Sequence, residues 1–368
     1  MHKRLLPAFL SFLLAQCIAT AAAVTVTRVP SARSASRYVI ENQLPTADQT
    51  HEVIRVGDSN VVLISQMSNS VLLKARVDTR GVIQEIGAFQ LGKNTSALHG
   101  LALSKRYPGK VWLTLQKDNK LVLIDPIVSS IAKSPKIHKE IDVPPPGLGP
   151  HYVGEYGGEL WSTLQDSSDV LRINYDNPKD YTIYKGLPRP IFIAQHPLNK
   201  QFYTGEDNSA SIMKIEPATG NTTQLPIDPS TGTTPVGLIA GPQGLWFTLL
   251  GSPTQGTGTI GHIHEDDTIT YHKLLSAVSK NASLLHLAFD PKADTNFTLW
   301  LLASSIINSS ALDMIIRVTF DAEWKRIVSE DIVVTPTQLN KAHRILITPT
   351  NVFATELASS KLLSYYSL

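Results

Sequence analysis

The sequence predicts an all-β fold: a seven-bladed β-propeller of four-stranded antiparallel blades, its ring closed by N- and C-terminal strands sharing one blade. Three observations carry this. The tetrapeptides WLTL (112–115), WSTL (161–164) and WFTL (246–249) occupy the same place in a longer recurring unit. That unit occurs seven times, anchored at His51, His99, His151, Ile191, Val236, His286 and His343, at intervals of 48, 52, 40, 45, 50 and 57 residues. Spacing of this size suits a unit of four short strands. Lastly, no long stretch has the 3.6-residue apolar period of an amphipathic helix.

The elements follow in order. Residues 1–23 read as a secretory signal peptide: His2, Lys3 and Arg4, then an apolar run from Leu5 to Ala19, then small-residue cleavage sites in ATAAA. The run is short for a membrane span. The propeller then occupies 24–368, with the first blade from about residue 50 and the last from about 341. The last copy lacks a strand after LLSYYSL, and a strand within 24–46 is expected to supply it. Each copy reads as a short strand, a Gly/Pro/Asn turn, an apolar strand with a polar tip, and a third strand such as LVLID or VLRIN. A fourth follows, as in DYTIYK. Closure of the ring replaces disulfides, because the only cysteine, Cys17, lies in the leader.

Composition excludes some classes. Removing the leader takes away Lys3 and Arg4, so the 33 cationic residues become 31, against 31 acidic ones. There is no basic run, so neither nucleic acid nor an anionic membrane is an expected partner. A monomer acting on a small molecule is expected. Sequons at Asn94, Asn221, Asn281, Asn296 and Asn308 fit a secreted, extracellular glycoprotein.

The five anchor histidines, His51, His99, His151, His286 and His343, are expected at one end of the central channel. There they serve either as bases and ligands or as bonds between blades. Gln66, Gln116, Gln165 and Glu206 follow the inner tips, where a turn-capping role is favoured. The Gly/Thr stretch 251–261 reads as a long hairpin, and HIHEDD (262–267) as an exposed turn. No Gly-x-Ser-x-Gly elbow or His-Glu-x-x-His motif occurs.

The units PVGLIAGPQGLWFTLLG and GTIGHIHEDDTITYHKL resemble the repeat of the streptogramin B lyases, most closely over 149–175 and 234–274. That resemblance implies eliminative ring-opening of a cyclic ester or depsipeptide, with a His base and a Mg²⁺ ion held by carboxylates. It implies His343 as the base, His286 as a substrate contact from the preceding blade, and Glu356 as the metal carboxylate. The sequence departs from the family's pattern at Lys341, where an acidic residue is expected, and at Leu115, Leu164, Gly205 and Leu249 in the slot assigned to the metal carboxylate. A lactonase-like or cyclisation-guiding enzyme, or a non-catalytic ligand-binding propeller, stays open beside the lyase.

Overall fold

The computed structural model describes residues 32–33, 39–207 and 209–366. The leader expected over 1–23 lies outside the described residues. Seven antiparallel sheets form the blades of one propeller, each built outward from an inner strand. The inner strands are Thr50–Arg55, Leu98–Leu103, Pro150–Tyr156, Pro190–Gln195, Pro235–Gly241, Leu284–Phe289 and Ala342–Ile347, for blades 1 to 7.

The ring closes in blade 7. Val39–Gln43 pairs with the blade's third strand, Lys361–Tyr366, in a register from Val39 opposite Tyr365 to Gln43 opposite Lys361. Asn42 extends the closure into blade 1. Its Nδ2 donates to Leu362 O (3.2 Å) and Gly81 O (2.9 Å), and its Oδ1 accepts from Ile83 N (3.0 Å). Gly81 has φ +77°, and a Cβ there would lie 1.8 Å from Ser364 Oγ. Only glycine permits that approach.

The recurring Trp-x-Thr segment has a physical explanation. Its aromatic ring fills the space between blades, as where Trp112 and Trp161 are buried and Trp161 stacks on Phe202 with centroids 3.7 Å apart. Its hydroxyl joins blades. Thr163 Oγ1 accepts from Tyr152 N (3.1 Å) in its own inner strand and donates to Ile191 O (2.8 Å) in the next blade. Ser65 does the same between Glu52 N and His99 O, Thr114 between Gly100 N and His151 O, and Thr355 between Arg344 N and His51 O. The last of these links blade 7 to blade 1. In blade 4 Gly205 holds the slot, where a Cβ would sit 2.3 Å from Val236 O. Every inner strand has a register shift at this point. Such bulges re-aim side chains, and here they bring two consecutive residues to the propeller axis.

The register corrects one anchor. A Cβ on Gly237 would meet Leu285 O at 2.8 Å, as one on Gly100 would meet His151 O at 2.7 Å. Leu285 is therefore the blade 6 equivalent of His343, and His286 stands one position later, level with Arg344. Spacing alone cannot see a bulge, which moves the register by one residue.

Candidate functional site at the channel mouth

The first bulge residue of each blade forms the channel mouth. Four of them are histidines, and their rings make a continuous arc. The centroid separations are 3.9 Å for His343 to His51, 3.7 Å for His51 to His99, and 3.9 Å for His99 to His151. The other three, Ile191, Val236 and Leu285, make an apolar wall opposite. His99 Nδ1 lies 3.0 Å from His151 O and donates to it, which leaves its Nε2 as the lone-pair nitrogen. The Nδ1 atoms of His51, His151 and His343 are buried with no hydrogen-bond partner among the described residues.

The second bulge residues form a plug beneath. Arg344 is fully buried. Its Nε donates to Glu52 Oε2 (3.0 Å) and Nη1 to His343 O (3.1 Å), while the guanidinium lies 4.6 Å from the Phe192 ring centroid. Contact between blades 7 and 4 means that the side chain crosses the channel. Tyr152 packs on Phe192 at 5.3 Å, and so does His286. Burial pushes the Glu52 carboxyl up, against the pull of Arg344.

Burial also decides the charge of the imidazoles. It lowers His99 to about 3, against the bond to the His151 carbonyl, and lowers His51, His151 and His343 well below the usual histidine range. His343, Arg344 and His151 face the apolar wall across a cavity of about 210 Å³, rimmed by Gln165 and Asp207. The mouth thus offers neutral nitrogens and one fixed cation on one side, and hydrocarbon on the other. A cleft of about 380 Å³ opens at the opposite end, near Arg55, Asp58, Asp78 and Thr348. It contains no histidine, so the channel mouth is the better candidate despite its smaller volume.

The structure separates the three residues implied by the resemblance. His343 lines the cavity. His286 does not; its Nδ1 accepts a bond from Ile345 N (3.3 Å), on the inner strand of the next blade. Leu302 stands in its blade's hydroxyl slot, so His286 supplies the inter-blade bond that Thr or Ser makes elsewhere. Glu356 lies apart from the cavity. Its Oε2 accepts from Ser359 Oγ (2.5 Å), its Oε1 has no partner, and Asn340, Lys361 and Glu41 surround it. Burial pushes this carboxyl up to about 8. A buried acid of that kind, whose neighbour Glu41 is taken up by Lys361 and Thr337, does not fit Mg²⁺, which takes ionised carboxylates and several waters. Lys341 is exposed and does not line the cavity. The slot that holds Glu356 holds Glu206 in blade 4, not Gly205, because Pro190 pairs with Glu206 as Ala342 pairs with Glu356.

Other expectations change in detail. His262 is buried, stacked on Trp246 at 4.0 Å, so HIHEDD is a partly buried strand end rather than an exposed turn. The 251–261 loop is fixed by Gly258 N donating to Ala282 O (2.9 Å). Gln116 and Gln165 bond across blades at 3.3 Å, which places Gln165 on the rim. Asn94, Asn221, Asn281 and Asn296 are exposed; Asn308 is buried. Arg344, Glu52, Tyr152 and Phe192 were not among the expected site residues. Their only sequence signal is that each follows an anchor position.

Comparison with solved structures bears on this geometry. A catalytically inactive His-to-Ala variant of virginiamycin B lyase from Staphylococcus aureus, crystallised with quinupristin, superposes with TM-score 0.69 at 20% identity, covering 90% of this chain and 99% of that one. The chain has the fold of a streptogramin B lyase. A further streptogramin B lyase structure gives TM-score 0.66 at 19% identity, over 89% of this chain and 96% of that one. Hydrazine synthase from Kuenenia stuttgartiensis, at 12% identity and TM-score 0.64, covers 91% of this chain and 99% of its own. Unrelated proteins thus share the architecture, so the fold alone does not assign an activity. No protein-family model and no curated protein matches the sequence.

Proposed function

We propose that this is a secreted propeller enzyme that opens an ester-containing cyclic metabolite by elimination at the channel mouth, with His343 as the base. The observation that carries the reading is the pairing of His343 and Arg344 on one wall of the 210 Å³ cavity, opposite Ile191, Val236 and Leu285. A hydrophobic cavity with few convergent polar groups suits a small ligand. At this volume it takes the scissile segment of a larger ring and leaves the remainder outside.

In the proposed step the neutral His343 imidazole takes a proton from the carbon β to the departing ester oxygen. The C–H electron pair becomes a C=C bond, the alkyl C–O bond breaks, and the carboxylate leaves. Product and substrate are isomers, and no water is consumed. Arg344 offsets the charge developing on the carboxylate, as a fixed cation in a dry site does. Glu52 fixes the guanidinium, and His286 acts as a positioning residue by holding Ile345, two residues after the base. No step passes through Mg²⁺.

The test is product analysis with a cyclic depsipeptide substrate. His343→Ala is expected to abolish the unsaturated product, while Glu356→Gln keeps most of the activity. Activity lost with Glu356→Gln but kept in His343→Ala would move the chemistry to the buried acid and overturn the assignment.

A further inference from the structure

We propose that His51, His99 and His151 form a binding site for one divalent transition-metal ion of the Zn²⁺, Ni²⁺ or Cu²⁺ class. The site is independent of the elimination chemistry proposed for the adjoining cavity. The three imidazoles come from three consecutive blades, and each offers one nitrogen within 4.8 Å of the other two. Drawing such a triangle onto metal–nitrogen bonds of about 2.0–2.1 Å moves each nitrogen by under about 1 Å.

The hydrogen bonding already has the form a metal site needs. A ligating histidine commonly fixes its free nitrogen to a backbone carbonyl, and His99 Nδ1 does so with His151 O. The Nδ1 atoms of His51 and His151 have no hydrogen-bond partner among the described residues, although both residues are more than nine-tenths buried. A buried polar atom without a bond is costly, and each of the three rings offers one nitrogen to the triangle.

The donor set selects the class of ion. Three imidazoles with no carboxylate or thiolate suit Zn²⁺, Cu²⁺ and Ni²⁺, whereas Mg²⁺ and Ca²⁺ require oxygen ligands. The nearest cation, Arg344, is held in an ion pair with Glu52 at 3.0 Å. His343 stacks on His51 at 3.9 Å with its own Nδ1 unpartnered. It lies outside the three-histidine group and keeps its place in the adjoining cavity.

The test uses the full mature chain without an affinity tag, stripped with chelator and titrated with Zn²⁺ by calorimetry. Co²⁺ serves as an optical probe of coordination. One equivalent of Zn²⁺ is expected to bind, with an intense visible Co²⁺ spectrum of low coordination number and no response to Mg²⁺. His99→Gln and His151→Gln preserve ring-sized bulk and are expected to weaken binding at least 100-fold, with unchanged far-UV circular dichroism. His138→Gln, on an exposed strand, leaves binding unchanged. Absence of saturable Zn²⁺ binding, or a one-equivalent site that survives both channel substitutions, overturns the proposal. Because the readout is metal alone, it is unaffected by whether an ester is cleaved.

Discussion

Replacing Glu356 by Gln is expected to stabilise the protein in alkaline solution and to do little in acid. The carboxyl is fully buried, Oε1 has no donor, and the neighbouring Asn340 Oδ1 also has none. A proton on the acid removes the charge from a group cut off from water, and Gln is neutral at every pH. Burial raises the group from its ordinary 4.5 to about 8 in the folded chain. The folded state therefore binds more protons than the unfolded state between those values. Stability from this group is fully present below about pH 4.5 and is lost as pH rises towards 8. At 1.36 kcal/mol per unit the ceiling is about 5 kcal/mol, with the opposing pull of Lys361 already included. At roughly 2 °C per kcal/mol for a chain of this size, Glu356→Gln should melt several degrees above the parent at pH 9 and within about 1 °C of it at pH 4.5. Scanning calorimetry across that range reads the difference. An equal difference at both ends, or a variant less stable at pH 9, would refute a protonated Glu356.

Three further outcomes follow from named contacts. Arg344→Met leaves the Glu52 carboxylate buried and unpaired, at a cost of about 3–5 kcal/mol. Arg344→Met with Glu52→Gln should recover more than half of that in urea unfolding, and no recovery would mean the pair is uncoupled. Lys74 Nζ donates to Pro126 O, Ser130 O and Lys133 O at 2.7–2.8 Å, so Lys74→Met should cost about 3 kcal/mol and open the 126–133 loop to proteolysis. A chain beginning at residue 44 lacks the Val39–Gln43 strand and leaves the Lys361–Tyr366 edge bare. It should elute as oligomers in size-exclusion chromatography, and a clean monomer would show that ring closure is dispensable.

Much of the fold was legible because the same physical task recurs. Most second strands carry an aromatic ring between blades or a hydroxyl that bridges them, so Trp-x-Thr repeats visibly in blades 2, 3 and 5 and in variant form elsewhere. The closing strand was legible as a shortage in the last copy. Residues at the bulges were not. His286 looks like an anchor by spacing, but the register puts Leu285 there. Glu356 looks like a partner for His343 because both belong to one repeat. The strand instead turns the acid towards Asn340, Lys361 and Glu41. Arg344 carried no signal beyond its place after an anchor, since a strict strand alternation would turn that residue away from the axis. Only the bulge brings both residues to the channel, and a bulge is fixed by a hydrogen bond from another strand.

The chemistry proposed at the channel mouth is elimination driven by His343. It is tested most directly by running the reaction on a cyclic depsipeptide in ¹⁸O-labelled water and weighing the product. Elimination predicts a product of unchanged mass, with no ¹⁸O in its carboxylate and a new C=C absorption, all lost in His343→Ala. A carboxylate carrying one ¹⁸O, or a full rate in His343→Ala, would contradict it.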